Sequence, residues 1–168
     1  MPPKRTWRPI ILHEVAAIPL SRGLWAWIDT ADLPLVVGYS WSAWPDKNTF
    51  YARSSTGLKL HRIVLGLAPG DPLQADHING NGLDNRRNNL RRATAAQNVA
   101  NRSSRSGATS RYKGVCWSKQ HKTWKAQITV DGRQTFLGLF GCEEDAARAY
   151  DDATVGVHGE YARINLPT

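Results

Sequence analysis

The sequence predicts an α+β protein in two parts, and three observations carry that reading. Short β-prone runs separated by turn signals fill residues 10–54. An Asp-His pair, two Asn-Gly turns and a helix start then crowd into residues 76–101. After a small-residue linker come three alternating runs and one amphipathic pattern, the signature of a three-stranded antiparallel sheet with one packed helix. The division expected is a loose basic arm over 1–9, a first domain over 10–102, a linker over 103–110 and a second domain over 111–168.

The chain has 168 residues, with 22 Lys+Arg against 14 Asp+Glu and a formal net charge of +8. That balance points to an anionic partner, most commonly nucleic acid. Charge alone does not separate DNA from RNA or from an anionic membrane surface. Cys116 and Cys142 form no C-x-x-C, so neither a zinc ribbon nor a disulfide framework is indicated. They read as small buried or half-buried residues of a reducing compartment. No apolar run approaches the length of a membrane span, and MPPKRTWRP lacks the apolar core of a secretory signal.

Taken in order, Ile10 to Asp29 is strand-like, broken by a Ser21-Arg22-Gly23 turn. Asp32–Trp44 is apolar and rich in aromatics, and Asn48–Ser54 is a short strand. The tryptophans of this region could stack bases, but they read as the core of a small sheet, because so short a domain needs large side chains to bury enough area. Leu58–Leu67 predicts a short helix carrying His61-Arg62. Pro69-Gly70-Asp71-Pro72 then turns the chain into an extended piece delivering Asp76.

Residues 76–101 carry the chemistry. Two extended pieces and a turn present Asp76-His77. Thr94-Ala95-Ala96-Gln97 is a capping box, so a helix starts just after Thr94 with Asn98 one turn inside. A carboxylate and a carboxamide oxygen are hard ligands suited to Mg²⁺, which keeps waters and leans on phosphate. An imidazole beside them can take a proton from water. Arg86, Arg87, Arg91, Arg92, Arg102 and Arg105 put six positive charges and no acid into residues 86–105, which favours contact with a polyanion over a solvated face. Metal, base and phosphate clamp are the parts for hydrolysing a phosphodiester. Asn79, Asn85 and Asn89 also have a plainer reading as turn residues bonding their own backbone, and Asn101 is a rival ligand to Asn98.

In the second domain, Tyr112–Trp117, Thr123–Val130 and Gln134–Leu139 alternate, and Asp131-Gly132 is a hairpin turn. Glu143 to about Val157 is helical, with Ala146, Ala149, Tyr150, Ala153 and Val157 on one face. The acids of this helix point away, leaving the sheet's other face basic and able to enter a major groove. Trp117, Lys119, Lys125, Gln127 and Arg133 are placed to reach DNA there, with Lys113 beside them. Trp124, Leu137, Phe140 and Tyr150 read as core.

Two resemblances sharpen this. Residues Asp76-His77-Ile78-Asn79-Gly80-Asn81, Asp84-Asn85-Arg86 and Asn88-Asn89-Leu90-Arg91, followed by Gln97-Asn98, resemble the HNH endonucleases of the phage and intron-encoded homing type. The resemblance implies a ββα-metal core over about 73–101. It makes His77 the general base, Asp76 and Asn98 ligands of one divalent ion (Mg²⁺ or Mn²⁺), and Asn89 the residue pinning the loop that orients His77. With Asn at 98, where other branches carry His, that residue is a ligand only. His61 matches a Leu-His-Arg segment usual upstream and is taken as structural or phosphate-touching. Residues Tyr112-Lys113-Gly114-Val115, Trp124-Lys125-Ala126-Gln127-Ile128, Leu137-Gly138-Leu139-Phe140, Glu144–Asp151, Gly159-Glu160 and Asn165-Leu166-Pro167 resemble the ethylene-response-factor (Apetala-type) DNA-binding domain. Cys116 and Thr129 stand where the plant branch carries base-reading arginines, so its target sequence does not transfer. The joined resemblance implies a double-stranded DNA endonuclease without a membrane partner, a monomer or homodimer, in the cytoplasm of a bacterial or phage-infected cell. A non-catalytic DNA-binding regulator and an RNA-binding protein or RNase are the other classes.

Overall fold

The computed structural model describes residues 8–46, 49–103 and 107–166. Residues 1–7 of the expected arm, Asn48, Arg105 of the arginine run and Pro167 lie outside the described residues. The fold is α+β, and the chain divides into two compact units, 1–94 and 95–168.

The first unit opens with a three-stranded antiparallel meander, β1 (Ile10–Leu12), β2 (Val15–Pro19) and β3 (Trp25–Asp29). A single helical turn, α1 (Leu33–Val36), leads to the hairpin β4 (Trp41–Asp46) and β5 (Thr49–Ser54). The short helix α2 (Leu60–Val64) follows, then the hairpin β6 (Gln74–His77) and β7 (Leu90–Ala93). The core is aliphatic: Ala16, Ile18, Ala26, Ile28, Val36, Leu60 and Val64, with Trp41.

Here the tryptophan reading is corrected. Of the described tryptophans in this unit only Trp41 is buried, at 5% exposure, whereas Trp25, Trp27 and Trp44 are 38%, 37% and 55% exposed. Successive strand residues face opposite sides. On β3 the core side falls to Ala26 and Ile28, both fully buried, so Trp25 and Trp27 face outward. Trp44 lies under the Arg53 guanidinium, 4.6 Å from its ring centre.

The second unit begins with α3 (Ala95–Ala100), starting just after Thr94. Strands β8 (Val115–Ser118), β9 (Thr123–Val130) and β10 (Arg133–Phe140) form an antiparallel sheet ordered β10-β9-β8. Asp131 and Gly132, at φ 50° and 77°, make the turn between β9 and β10, as the hairpin signal implied. Helix α4 (Glu143–His158) packs Ala146, Ala147 and Tyr150 on Tyr112, Val115 and Ala126. Its buried stripe is displaced from the expected one: Val157 is 46% exposed, while Ala147, Asp151 and Thr154 are buried. Asp151 is interior because its carboxylate accepts the backbone N–H groups of Asn165 and Leu166, each at 2.9 Å. Cys116 is half-buried, but Cys142 is exposed, contrary to the expectation for it. Gly114 is where a side chain is impossible: φ is 77°, and a Cβ there would sit 1.9 Å from the Tyr150 ring. Among the described residues no helix is long and apolar enough to cross a membrane.

Candidate active site

The β6–β7 register sets Asp76 opposite Arg91 and His77 opposite Leu90. Both Asp76 and His77 are buried, at 4% and 5% exposure. The loop between the strands is stitched by its own asparagines. The Asn89 Oδ1 accepts from the Asn79 backbone N–H at 3.0 Å, and the Asn89 Nδ2 donates to Asn79 Oδ1 at 3.0 Å and to the Asp84 carbonyl at 2.8 Å. The Asn79 and Asn81 side chains each accept a backbone N–H two residues on, the Asx-turn pattern their sequence suggests. Asn79 also donates to Asp84 at 3.1 Å. The loop is tied to β3 by backbone bonds Trp27 N–H to Leu83 and Asn85 N–H to Trp27, at 2.8 and 2.7 Å.

Asn85 is the residue the sequence reading missed. Its place in a polar loop suggests a turn role, yet it is fully buried, and its Oδ1 lies 3.2 Å from His77 Nε2. An amide oxygen only accepts. The imidazole therefore donates from Nε2, which leaves Nδ1 with the basic lone pair. The signal in the sequence is weak, since Asn85 follows Asp84 in a polar stretch and nothing local says which way it faces.

Aromatic rings complete the surround of His77. Tyr51 from β5 is 5.7 Å away between ring centres, and His61 from α2 is 5.0 Å away, edge to face at 88°. Tyr51 and His61 also pack edge to face at 5.2 Å. His61 is buried, and its Nδ1 has no hydrogen-bond partner among the described residues. Burial, then the charge of His77, then Lys59 and Arg62 push its pKa down to about 3. His77 is also lowered, burial outweighing the Asn85 hydrogen bond and the Asp76 and Asp84 charges that pull it back. Both imidazoles are thus neutral at pH 7, the state a proton acceptor needs.

The arginines are corrected here. The run of positive charge is not unopposed, because the fold brings acids to it. Arg91 Nε lies 2.8 Å from Asp76 Oδ2, with side chains only 12% and 5% exposed, so Arg91 faces the interior and not a polyanion. Arg86 chelates Asp84 through two bonds of 2.7 Å, which holds that carboxyl below its usual pKa. Arg87 pairs with buried Asp32 at 2.6 Å. Arg92 donates to the Leu65 carbonyl at 2.8 Å. Arg87, Arg92 and Arg102 remain exposed.

In the second unit, Asn98 and Asn101 stand on and just after α3, half-buried and buried. Lys113 is corrected. Its Nζ donates to the carbonyls of Val99 and Ala100 at the C-terminal end of α3, where a cation offsets the helix dipole. Burial, then Arg163 and Arg102, lower it to about 8. The expected basic sheet face is corrected too. Ala126 and Ile128 turn inward, at 0% and 4% exposure, so Lys125 and Gln127 project from the open side. Trp117 pairs with Trp124 and Arg133 with Val130, which puts both on the helix side by alternation. Lys119 lies exposed in the β8–β9 turn. The open face carries one lysine among uncharged residues.

No group of three or more His, Cys, Asp or Glu that could hold a metal occurs among the described residues. Asp76, paired with Arg91, is the buried carboxylate beside His77, and a carboxylate oxygen is the donor type of a hard ion that keeps its waters.

The sequence profile of the HNH endonucleases matches residues 59–100. An uncharacterized HNH endonuclease, L560, of Acanthamoeba polyphaga mimivirus is 31% identical over 151 residues, covering 86% of this chain and 76% of that protein. Protein 3.8 of Escherichia phage T7 is 34% identical over 89 residues, 53% of this chain and 73% of the relative. An AP2-like ethylene-responsive transcription factor of Arabidopsis thaliana is 41% identical over 59 residues, 35% of this chain and 19% of the plant protein.

Proposed function

The chain belongs to the HNH endonuclease family and carries an AP2-type region, and from that premise we propose that it is a homing-type DNA endonuclease dependent on one divalent metal ion. The functional division is a nuclease domain over 10–102, a linker over 103–110 and a DNA-binding domain over 111–168. The observation that carries the reading is His77: buried beside Asp76, its Nε2 committed to Asn85 and its ring walled by Tyr51 and His61.

His77 Nδ1 takes a proton from water as the water oxygen attacks phosphorus. The 3′ oxygen departs, leaving a 5′-phosphate and a 3′-hydroxyl. Asp76 and Asn98 would hold Mg²⁺ or Mn²⁺, which supplies positive charge for the phosphorane and the leaving oxygen. Asn98 is assigned from the motif and from the family match reaching residue 100. Asn89 and Asn85 act as positioning residues, one bracing the loop and one the imidazole. With one such centre per chain, a monomer nicks duplex DNA, and a double-strand break takes a dimer or two events. Arg102, Lys119, Lys125 and Gln127 are offered as DNA contacts.

The Arg91–Asp76 ion pair favours one rival, a non-catalytic DNA-binding regulator whose carboxylate is already neutralised. A plasmid-nicking assay with Mg²⁺, with Mn²⁺ and with EDTA decides between them. Metal-dependent conversion of supercoiled to nicked circles is expected; binding without nicking in any metal would leave the regulator.

A further inference from the structure

We propose that the open face of the sheet selects A·T base pairs, with Gln127 and Phe136 as the selecting residues; this rests on the DNA-binding reading above. Gln127 on β9 stands directly opposite Phe136 on β10, flanked by the pairs Thr129 with Gln134 and Lys125 with Leu139. Residues directly opposite on a sheet share a face, so these six side chains lie opposite the face that meets α4. Phe136 is 60% exposed and Leu139 41%.

Phe136 faces outward because it stands opposite Gln127, out of phase with the inward Ala126 and Ile128. The register shifts between Phe136 and Gly138, so Leu137 is the extra residue, and it packs toward the core. Gly138, at φ 149°, permits this turn of the backbone, and a Cβ there would meet the Phe140 ring at 2.9 Å. The bulge thus returns Leu139 to the open face opposite Lys125 and keeps Phe140 on the core side.

Charge is placed in the complementary way. Lys119 and Lys122 are exposed in the turn before β9. The middle of the face holds only Lys125. Cations in the turn at one end of the face suit phosphates at the edge of a groove, and the uncharged centre is left for base edges. A glutamine amide matches the adenine N7 acceptor and N6 donor together, and an apolar ring matches the thymine methyl. The centre lacks an arginine, the side chain best fitted to guanine. Carboxamide and ring, one strand spacing apart, therefore fit A·T pairs on the same or successive steps.

The test uses the full chain in EDTA, so that binding is read without cutting. Selection on a randomised duplex library should enrich a site containing A·T steps. Duplexes of that site are then titrated with single A·T to G·C changes and with thymidine replaced by deoxyuridine, which removes only the methyl group. Gln127→Ala is expected to cut discrimination against the G·C change by about tenfold, as for loss of one bidentate pair. Phe136→Ala is expected to abolish the penalty for deoxyuridine and leave the Gln127-dependent preference in place. Melting curves confirm folding, which both solvent-facing positions tolerate. A selected site lacking A·T at its centre, or equal weakening on every duplex, overturns the proposal while leaving DNA binding intact. Failure of the wild-type chain to bind any duplex overturns the DNA-binding reading itself.

Discussion

The two units invest their polar groups differently. The first buries them: Asp32, His61, Asp76, His77, Asp84, Asn85 and Asn89 are each at most 7% exposed, most of them in or against one hairpin loop. The second buries few, and Ser110 and Asp151 are spent on backbone N–H groups. Its chemistry lies on an open sheet face. Buried polar groups cost free energy unless each finds a partner. The first unit's centre is thus one connected network, complete except at His61 Nδ1 and Asn85 Nδ2, which have no hydrogen-bond partner among the described residues, and a single loss in it propagates. The second unit's face can change one residue at a time over an intact core of Tyr112, Val115, Ala126, Ala146 and Ala147. One arrangement suits a fixed reaction, the other a changeable target.

The sharpest break between the two is His77→Ala. Loss of the proton acceptor is expected to lower metal-dependent nicking by about 10²–10⁴-fold, with the dissociation constant for duplex DNA changed by less than about twofold. Gel-shift titration and a nicking time course on one preparation check this. Parallel loss of binding and cleavage would show that the two functions are not separable as the units suggest.

Gly114→Ala probes the opposite case, the packed core of the second unit. A Cβ 1.9 Å from the Tyr150 ring and 2.7 Å from the Gln127 carbonyl, at φ 77°, leaves the residue nowhere to go. The expected loss is about 3–5 kcal/mol, read as disappearance of sequence-selective DNA binding and of the second unit's thermal transition. Retention of a wild-type melt would mean that α4 packs less closely than described.

Arg91→Leu tests the first unit's network. Removing the guanidinium takes the cation away from a carboxylate that is only 4% exposed, a change that costs about 3–5 kcal/mol in comparable pairs. A divalent ion at Asp76 supplies the missing charge, so the fall in melting temperature is expected to be smaller in millimolar Mg²⁺ than in EDTA. An identical melt in both conditions would remove Asp76 from the proposed ligands.

These same residues show what the sequence disclosed. The β6–β7 hairpin and the α3 start were legible, because Asn-Gly turns, strand alternation and a capping box are local signals. The sheet and helix of the second unit were legible for the same reason. What failed was anything decided by partners distant in the chain. Asp32 reaches Arg87 across 55 residues, which no count of neighbouring charges could reveal. Trp25 and Trp27 were read inward because they are large, but facing is set by strand phase, and Ala26 and Ile28 hold the core phase. Asn85 looks like any turn asparagine until the fold closes over it. The Leu137 bulge, which returns Leu139 to the open face, has no local signature beyond Gly138.

His61→Leu gives the smallest effect at neutral pH and the most specific one in acid. The folded protein holds His61 near pKa 3, whereas an unfolded chain titrates it near 6.5. Between those values the unfolded state binds a proton that the folded state refuses. Stability therefore falls as pH falls from about 6.5 toward 3, by up to ~1.4 kcal/mol per unit for this one group. His77, also lowered, adds to the same limb. Leucine removes one of the two terms. At pH 7 the variant is expected to match wild type within about 1 kcal/mol, the worth of the edge-to-face contacts with Tyr51 and His77. At pH 4 it is expected to be the more stable protein. Urea titrations at pH 7, 5.5 and 4 read the two curves directly. Curves that stay parallel would mean that His61 takes up its proton while folded, and that the ring wall around His77 is wetter than its 5% exposure implies.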